Sequence, residues 1–205
     1  MYLSKIHIPW TLAKNSYELH QALWRLFPER DDQQRDFLFR VESLEKGMGT
    51  KVLLQSETKP ELSESSPVVL DSRDYNPLFQ KDQRLRFLLR ANPIKTIKDS
   101  SKGTVEKKGK TYTKTVRVPL LHEEQQQAWL ERKFQDSAQL NTLIIQPESV
   151  LYFRKVKEKR SGKIQPVLFE GILIVSEPEL FFEQLQKGIG PAKAFGCGFL
   201  SIAKV

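Results

Sequence analysis

The stretch GIGPAKAFGCG, residues 188–198, holds four glycines in eleven residues and stands between a helical pattern and a last apolar run. The four are Gly188, Gly190, Gly196 and Gly198. Glycine permits backbone conformations that a side chain forbids, and it lets N–H groups approach a phosphate, which Lys193 would suit. A Walker loop and a dinucleotide fingerprint are excluded, because Pro191 follows Gly190 and Lys193 replaces the third glycine. Two interpretations stay open: a phosphate-binding loop, or a turn that packs a helix tightly on a sheet.

The composition bounds the class of protein. A length of 205 residues, with 39% apolar and 28% charged side chains, allows one large domain or two small ones. Cys197 is the only cysteine, so no internal disulfide can form and a reducing compartment is expected. Because Cys197 lies between two glycines, it is expected to fill space rather than to act as a nucleophile. No run reaches the roughly 18 apolar residues that span a membrane. The sequence therefore predicts a cytoplasmic protein without a membrane partner.

Positive charge is concentrated in two segments. The net charge is +8, but residues 81–117 carry twelve Lys and Arg against three carboxylates, a local charge of +9. Residues 154–163 carry six against one, a local charge of +5. Such concentration is typical of a polyanion-binding protein, most simply one that binds nucleic acid. A solvated lysine-rich loop is the alternative.

Hydrophobic periodicity predicts the order β-α-β-β-(weak element)-β in the first half. Strands are predicted over residues 2–8, 37–41, 51–55 and 84–90, and a helix over residues 16–27. Asn15 and Glu18 have the spacing of a capping box at the start of that helix. Residues 57–80, rich in Ser, Glu and Pro, are predicted to be a connection with little regular structure.

The second half repeats this order. The lysine-rich residues 95–118 are predicted to form a protruding loop or β-hairpin. Helices are predicted over 123–134 and from Pro178 onward, and strands over 149–156, 164–175 and the last residues. Two β-α-β-β-α-β units predict an α+β fold of tandem ferredoxin-like (RRM-like) domains. The predicted domains are residues 1–91 and 92–205.

Acid–base chemistry is the chemistry that these residues best allow. None of His7, His20 and His122 has a Cys or carboxylate at ligand spacing, so no metal site is predicted. His20 is the best candidate for proton transfer, because it lies mid-helix, one turn from Tyr17 on the same face. The alternative is a half-buried helix histidine packed against Trp24. His7 and His122 are expected to be structural.

Six blocks in order along the chain carry a family resemblance. They are YELHQALWRLFP (17–28), RDFLF (35–39), RANPIK (90–95), SGKIQ (161–165), LFEG (168–171) and the glycine-rich stretch. Together they resemble the CasE family, the CRISPR repeat endoribonucleases of type I-E Cascade complexes. Residues 57–80, 98–113 and 136–150 match weakly, so no family role is carried onto them.

The resemblance implies a metal-independent RNase without a cofactor. Such enzymes cut the CRISPR repeat at the 3′ base of its stem-loop by attack of the 2′-hydroxyl. They leave a 2′,3′-cyclic phosphate and a 5′-hydroxyl, and they keep the product as a Cascade subunit. His20 occupies the position of the family's catalytic histidine and Tyr17 that of its companion tyrosine. Lys163 is a candidate for stabilising charge on the phosphate, with a solvated turn residue as the alternative.

The basic segment from Arg84 to Arg117 is expected to hold the phosphates of the RNA stem, so binding should weaken with salt. Candidate RNA-binding residues are Arg84, Arg86, Arg90, Asn92, Lys95, Lys98, Lys114, Arg117 and Lys193. The glycine-rich stretch either contacts RNA through its backbone or holds the two sheets in register. The expected partners are the repeat stem-loop and other Cascade subunits, and the isolated protein is expected to be a monomer. The alternative function is a non-catalytic RNA-hairpin-binding subunit of a ribonucleoprotein.

Overall fold

The computed structural model describes residues 1–28, 35–61, 67–107, 109–155 and 160–205. In chain order its helices and strands are β1 (Tyr2–Ile8), α1 (Trp10–Ala13), α2 (Ser16–Trp24), β2 (Phe37–Glu45), β3 (Gly49–Ser56), β4 (Val68–Asp74), β5 (Arg84–Ala91), β6 (Ile94–Lys98), β7 (Thr104–Lys107), β8 (Lys110–Thr113), β9 (Thr115–Pro119), α3 (Glu123–Phe134), β10 (Ala138–Pro147), β11 (Leu151–Lys155), β12 (Arg160–Ile164), β13 (Val167–Val175), α4 (Pro178–Lys187) and β14 (Leu200–Lys204).

Two four-stranded antiparallel sheets share one strand order. The first runs β2-β3-β1-β4 and the second β10-β13-β5-β14. In the second unit α3 follows β5 and α4 follows β13, which completes the β-α-β-β-α-β pattern. In the first unit α1 and α2 follow β1, and no helix is found among the described residues between β3 and β4. The prediction of tandem ferredoxin-like units is confirmed.

The boundary between the two units lies at a different place in the chain from the one predicted. The predicted boundary at residue 91 assigns β5 to the first unit, whereas β5 is hydrogen-bonded between β13 and β14 of the second sheet. Its place in the first sheet is taken by β4, which pairs with β1. Residues 57–80 were predicted to lack regular structure from their Ser, Glu and Pro content, and β4 escaped notice since it is mostly exposed and carries a weak apolar pattern. Sheet membership therefore changes between β4 and β5.

Three further elements differ from their predictions. Helix α2 ends at Trp24 rather than near residue 27, although Leu26 and Phe27 are still buried. Strand β10 was not predicted, because it lies at a sheet edge and most of its side chains face solvent. The predicted strand over residues 164–175 is interrupted near Pro166, and its two parts pair with different partners.

The two units pack through one face of the first sheet. Its other face carries Ile6, Phe37 and Phe39 into a core with α2. On the packing face, Arg40 Nη1 donates to Ser201 Oγ at 2.7 Å, and its guanidinium lies 5.6 Å from the centre of the Phe199 ring. Gln55 Nε2 donates to the Leu185 carbonyl at 3.0 Å, inside the interface. These two hydrogen bonds fix the position of β2 and β3 against the second unit.

The lysine-rich segment forms a hairpin, as predicted. Strands β6 and β9 pair at its base, and β7 and β8 pair towards its tip. A second hairpin, β11–β12, belongs to the other basic segment, of which residues 156–159 lie outside the described residues. Within the described ranges, no helix is both long and apolar enough to cross a membrane.

Candidate functional site

His20 lies on α2 with aromatic rings on several sides. Asn15 caps the start of the helix, and its Oδ1 accepts a hydrogen bond from the backbone N–H of Tyr17 at 2.9 Å. The His20 ring lies 5.8 Å from the Phe37 ring, 6.3 Å from Phe39 and 6.2 Å from Trp24, measured between centroids. Tyr17 is half-buried on the same helix, one turn earlier. The structure thus places both sequence candidates on one helix.

The surroundings of His20 keep its ring neutral. Burial, the larger cause, and the positive charge of Arg35 together lower its pKa from 6.5 to about 4. Among the described residues, no group is within hydrogen-bonding distance of its buried Nε2. His20 is therefore neutral near pH 7 and has a ring nitrogen that is not committed to a structural hydrogen bond.

Arg35 lies close enough to His20 to affect its pKa, and Lys193 lies near Arg35. Burial lowers the pKa of Arg35. Burial, followed by the charges of Arg35 and Lys133, lowers the pKa of Lys193. The Nε of Arg35 is buried and has no hydrogen-bond partner in the described part of the chain. The fold thus gathers positive charge beside the histidine, which favours an anion there.

Sequence reasoning gave Arg35 no role, although it begins the block RDFLF. Its proximity to His20 and Lys193 depends on how β2, α2 and the glycine-rich stretch pack. The apolar residues Phe37, Leu38 and Phe39 that follow indicate a strand rather than a site.

The glycine-rich stretch wraps around the edge strand β2. A Cβ at Gly188 would lie 2.7 Å from Leu38 Cδ1, and one at Gly196 would lie 3.2 Å from Phe39 Cε2. Leu38 and Phe39 point to opposite faces of the sheet, so the stretch touches both. Two backbone hydrogen bonds hold Gly198 in place. Its N–H donates to the Arg90 carbonyl, and its carbonyl accepts from the N–H of Ile189. This geometry supports a packing role for the stretch, which holds the two sheets together.

Cys197 lies fully buried in this stretch. Burial raises the pKa of its thiol to about 12, so it is held as a neutral thiol. The prediction that it fills space agrees with this position.

Two of the predicted RNA-binding residues, Arg90 and Lys193, are bonded to the glycine-rich stretch or to residues beside it. Arg90 Nε donates to Glu148 Oε2 at 2.6 Å, and Arg90 Nη1 donates to the Phe195 carbonyl at 3.2 Å. Lys193 Nζ donates to the Lys187 carbonyl. Both side chains thereby hold the glycine-rich stretch in place.

Two grooves meet at Lys163 on β12. One, of about 610 Å³, is lined by Asn92, Arg117 and Lys163 together with Pro191 and Ala192 of the glycine-rich stretch. The other, of about 800 Å³, lies between the β11–β12 hairpin and the start of α2. Lys163 itself is exposed. The fold therefore brings three predicted residues, from distant parts of the sequence, to one groove.

The remaining predicted residues lie elsewhere. Lys95, Lys98 and Lys114 are exposed on the β6–β9 hairpin. Arg84 and Arg86 are exposed on the face of the second sheet that is opposite its core, where Arg84 Nη2 donates to Asn141 Oδ1 at 3.3 Å. The structure therefore separates these residues from the groove at Lys163.

The described residues contain no cluster of three or more His, Cys, Asp or Glu side chains that could hold a metal ion. What the site offers is a neutral histidine, a nearby tyrosine, several cations and grooves that end at Lys163. This set is suited to proton transfer on a phosphate-containing substrate.

Comparisons with known proteins identify the family. The family model described as CRISPR associated protein matches residues 1–204. The chain is 43% identical over 203 residues to the CRISPR system Cascade subunit CasE of Escherichia coli strain K12, covering 99% of each protein. It superimposes on the crystal structure of the CRISPR-associated protein Cas6e from E. coli K-12 with a TM-score of 0.84, at 41% identity and 100% coverage of both chains. It superimposes on CRISPR endoribonuclease Cse3 bound to a 19-nucleotide RNA with a TM-score of 0.78, at 30% identity, covering 99% of this chain and 100% of that one. The chain belongs to the CasE family of CRISPR-associated proteins.

Proposed function

We propose that this chain is an endoribonuclease that cuts CRISPR repeat RNA at the 3′ base of the repeat stem-loop and then keeps the product hairpin as a subunit of Cascade. The observation that carries the proposal is the full-length likeness to Cse3, an endoribonuclease bound to RNA. The basic hairpin and the groove at Lys163 support an RNA ligand, because their exposed cations suit phosphates. In this proposal the protein works in the cytoplasm.

The proposed reaction needs two proton transfers and no metal. The 2′-oxygen forms a bond to the adjacent phosphorus while the bond from phosphorus to the 5′-oxygen breaks. The 2′-hydroxyl loses a proton and the departing 5′-oxygen gains one, which leaves a 2′,3′-cyclic phosphate and a 5′-hydroxyl. A positioned acid or base contributes about 10²–10⁴-fold to such a step.

His20 is the residue proposed to move a proton. Because it is neutral in the free protein, it can accept the proton of the 2′-hydroxyl at its uncommitted Nε2. It can donate to the 5′-oxygen only if the bound phosphate first raises its pKa. The free protein therefore favours the base role. Tyr17 is proposed to position the 2′-hydroxyl or the phosphate, and Lys163 to stabilise charge on the phosphate.

The test is cleavage of the genomic repeat RNA by purified protein in EDTA, beside the same RNA with a 2′-deoxy sugar at the expected cut. We expect cleavage of the first RNA only. His20→Ala should cut about 10²–10⁴-fold more slowly. His122→Ala, which changes an exposed histidine at the start of α3, is the matched control. Equal rates for His20→Ala and wild type would remove His20 from the mechanism.

A second candidate function has one specific observation in its favour. His20 packs among Phe37, Phe39 and Trp24 as a core histidine does. If that is its only role, the protein is a hairpin-binding subunit that does not cut. Tight binding of both RNAs without product from either would support this candidate.

A further inference from the structure

We infer that Tyr152 is a stacking platform for one unpaired nucleotide beside the cut, with Lys163 on the phosphate of that nucleotide. The inference rests on the proposed function, because it takes RNA as the ligand. It adds a single-stranded subsite to a protein proposed to bind a stem.

The β11–β12 hairpin sets the direction of both side chains. Tyr152 is paired with Lys163, and Phe153 is paired with Gly162. Partners in such a pair point to the same face of the hairpin, and successive residues point to opposite faces. The tyrosine ring and the lysine therefore stand side by side on one face.

The other face of the hairpin is anchored to the protein. The Phe153 ring lies 4.6 Å from the Phe195 ring of the glycine-rich stretch, measured between centroids. It lies directly over Gly162, where a Cβ would be 2.5 Å from Phe153 Cζ. Because Gly162 has no side chain, the Phe153 ring can pack there and hold the hairpin against the protein.

The fold holds the Tyr152 ring in solvent. Its exposed fraction is 76%, although a tyrosine ring gains by covering its apolar faces. An anchored hairpin that presents an uncovered aromatic ring and a cation has the two features that bind a nucleotide.

The groove beside Tyr152 has the charge of a nucleic-acid site. It measures about 800 Å³, and Lys14, Asn15 and Ser16 at the start of α2 form its opposite wall. Of the described residues that line it, two are lysines and none is a carboxylate. An aromatic ring on which a base can stack, within a positive groove, is how proteins bind single-stranded nucleic acid. Helix α2 also carries Tyr17 and His20, so a nucleotide in this groove lies beside the proposed cut.

The test measures RNA affinity by fluorescence anisotropy with full-length protein. The RNA carries a 2′-deoxy sugar at the cut, so that the proposed reaction cannot proceed. Tyr152→Ala should bind about 5- to 100-fold more weakly than wild type. Tyr152→Phe, which keeps the ring, should bind like wild type. Leu78→Ala, which shortens a 92% exposed side chain outside both grooves, is the control.

A series of RNAs, each with one abasic site, locates the stacked base. The unpaired nucleotides on both sides of the cut are replaced in turn. At one position the affinity difference between wild type and Tyr152→Ala should vanish, because the ring then has no base to stack on. An equal difference at every position would overturn the inference, as would equal affinities of Tyr152→Ala and wild type.

Two other results distinguish stacking by Tyr152 from a protein interface and from the proposed cleavage. If Tyr152→Ala binds RNA normally but no longer assembles with the other Cascade subunits, the ring belongs to a protein interface and the inference is wrong. If wild type fails to cut the unmodified repeat while one abasic site still abolishes the effect of Tyr152→Ala, stacking stands and the proposed cleavage fails.

Discussion

Replacing Arg35 by Gln tests why His20 is neutral. The substitution removes the positive charge and keeps a polar, shorter side chain. Burial is the larger cause of the lowered pKa of His20, and the charge of Arg35 is the second. In Arg35→Gln the pKa should therefore rise from about 4 towards 6.5, while staying nearer to 4.

The magnitude follows from the linkage between proton binding and folding. The unfolded chain takes up a proton on His20 near pH 6.5, whereas the folded chain does so only near pH 4. The folded state therefore loses stability as the pH falls from 6.5 to 4, by about 3 kcal/mol from this residue. Arg35→Gln should reduce that loss by less than half. The pH dependence of stability is the relevant quantity, because removing Arg35 also changes packing at every pH.

Histidine titration by NMR gives the most direct measurement. The chain has three histidines, so the ring Cε1–H signals of His7, His20 and His122 can be assigned by single substitutions. Urea unfolding at several pH values then supplies the free energies. Arg25→Gln is the matched control, because Arg25 follows the last residue of α2, is exposed and is not among the causes of the shift of His20.

Two results would refute this reasoning. If His20 titrates near 6.5 in wild type, its ring is not desolvated as the packing against Phe37 and Phe39 implies. If Arg35→Gln and Arg25→Gln leave the pKa of His20 equally unchanged, the charge of Arg35 does not lower that pKa.

Two further predictions concern the loop and the hairpin. Gly188→Ala should destabilise the protein by at least about 1 kcal/mol more than Gly47→Ala in urea unfolding. Both glycines have positive φ, but a Cβ at Gly188 meets Leu38 and the Gly198 carbonyl, whereas one at Gly47 meets nothing within 4 Å. Equal losses would show that this close packing does not matter. Arg117→Gln should reduce the salt dependence of RNA binding by about one unit in the log–log slope while leaving the cleavage rate at saturating RNA unchanged. An unchanged slope would show that Arg117 contacts no phosphate.

The sequence predicted strands with a strong buried pattern well, and it missed two edge strands that are mostly exposed. Strand β5 alternates between buried and exposed positions between two neighbours, so its pattern is strong. Strands β4 and β10 lie at sheet edges, where most of their side chains face solvent and the apolar alternation fades. Without β4, β5 was counted as the fourth strand of the first unit, and the predicted boundary at residue 91 followed from that count.

Part of the candidate site could be predicted from the sequence, and part could not. Tyr17 and His20 share a helix, so their spacing along the sequence is enough to place them together. The effect of Arg35 on His20, and that of Arg35 on Lys193, depend on tertiary packing that no local pattern encodes. Lys163, Asn92 and Arg117 meet in one groove for the same reason.

The neutral state of His20 depends on the second unit as well as on its own helix. His20 stacks on Phe39, and the glycine-rich stretch packs on that ring at Gly196. The same stretch brings Lys193 near Arg35, and Arg90 ties it to the second sheet. Moving the stretch would expose the His20 ring, and the loss of burial would raise the pKa of His20. The glycines therefore affect the protonation state of His20 indirectly. Because they have no side chains, the stretch can pack closely against edge strand β2.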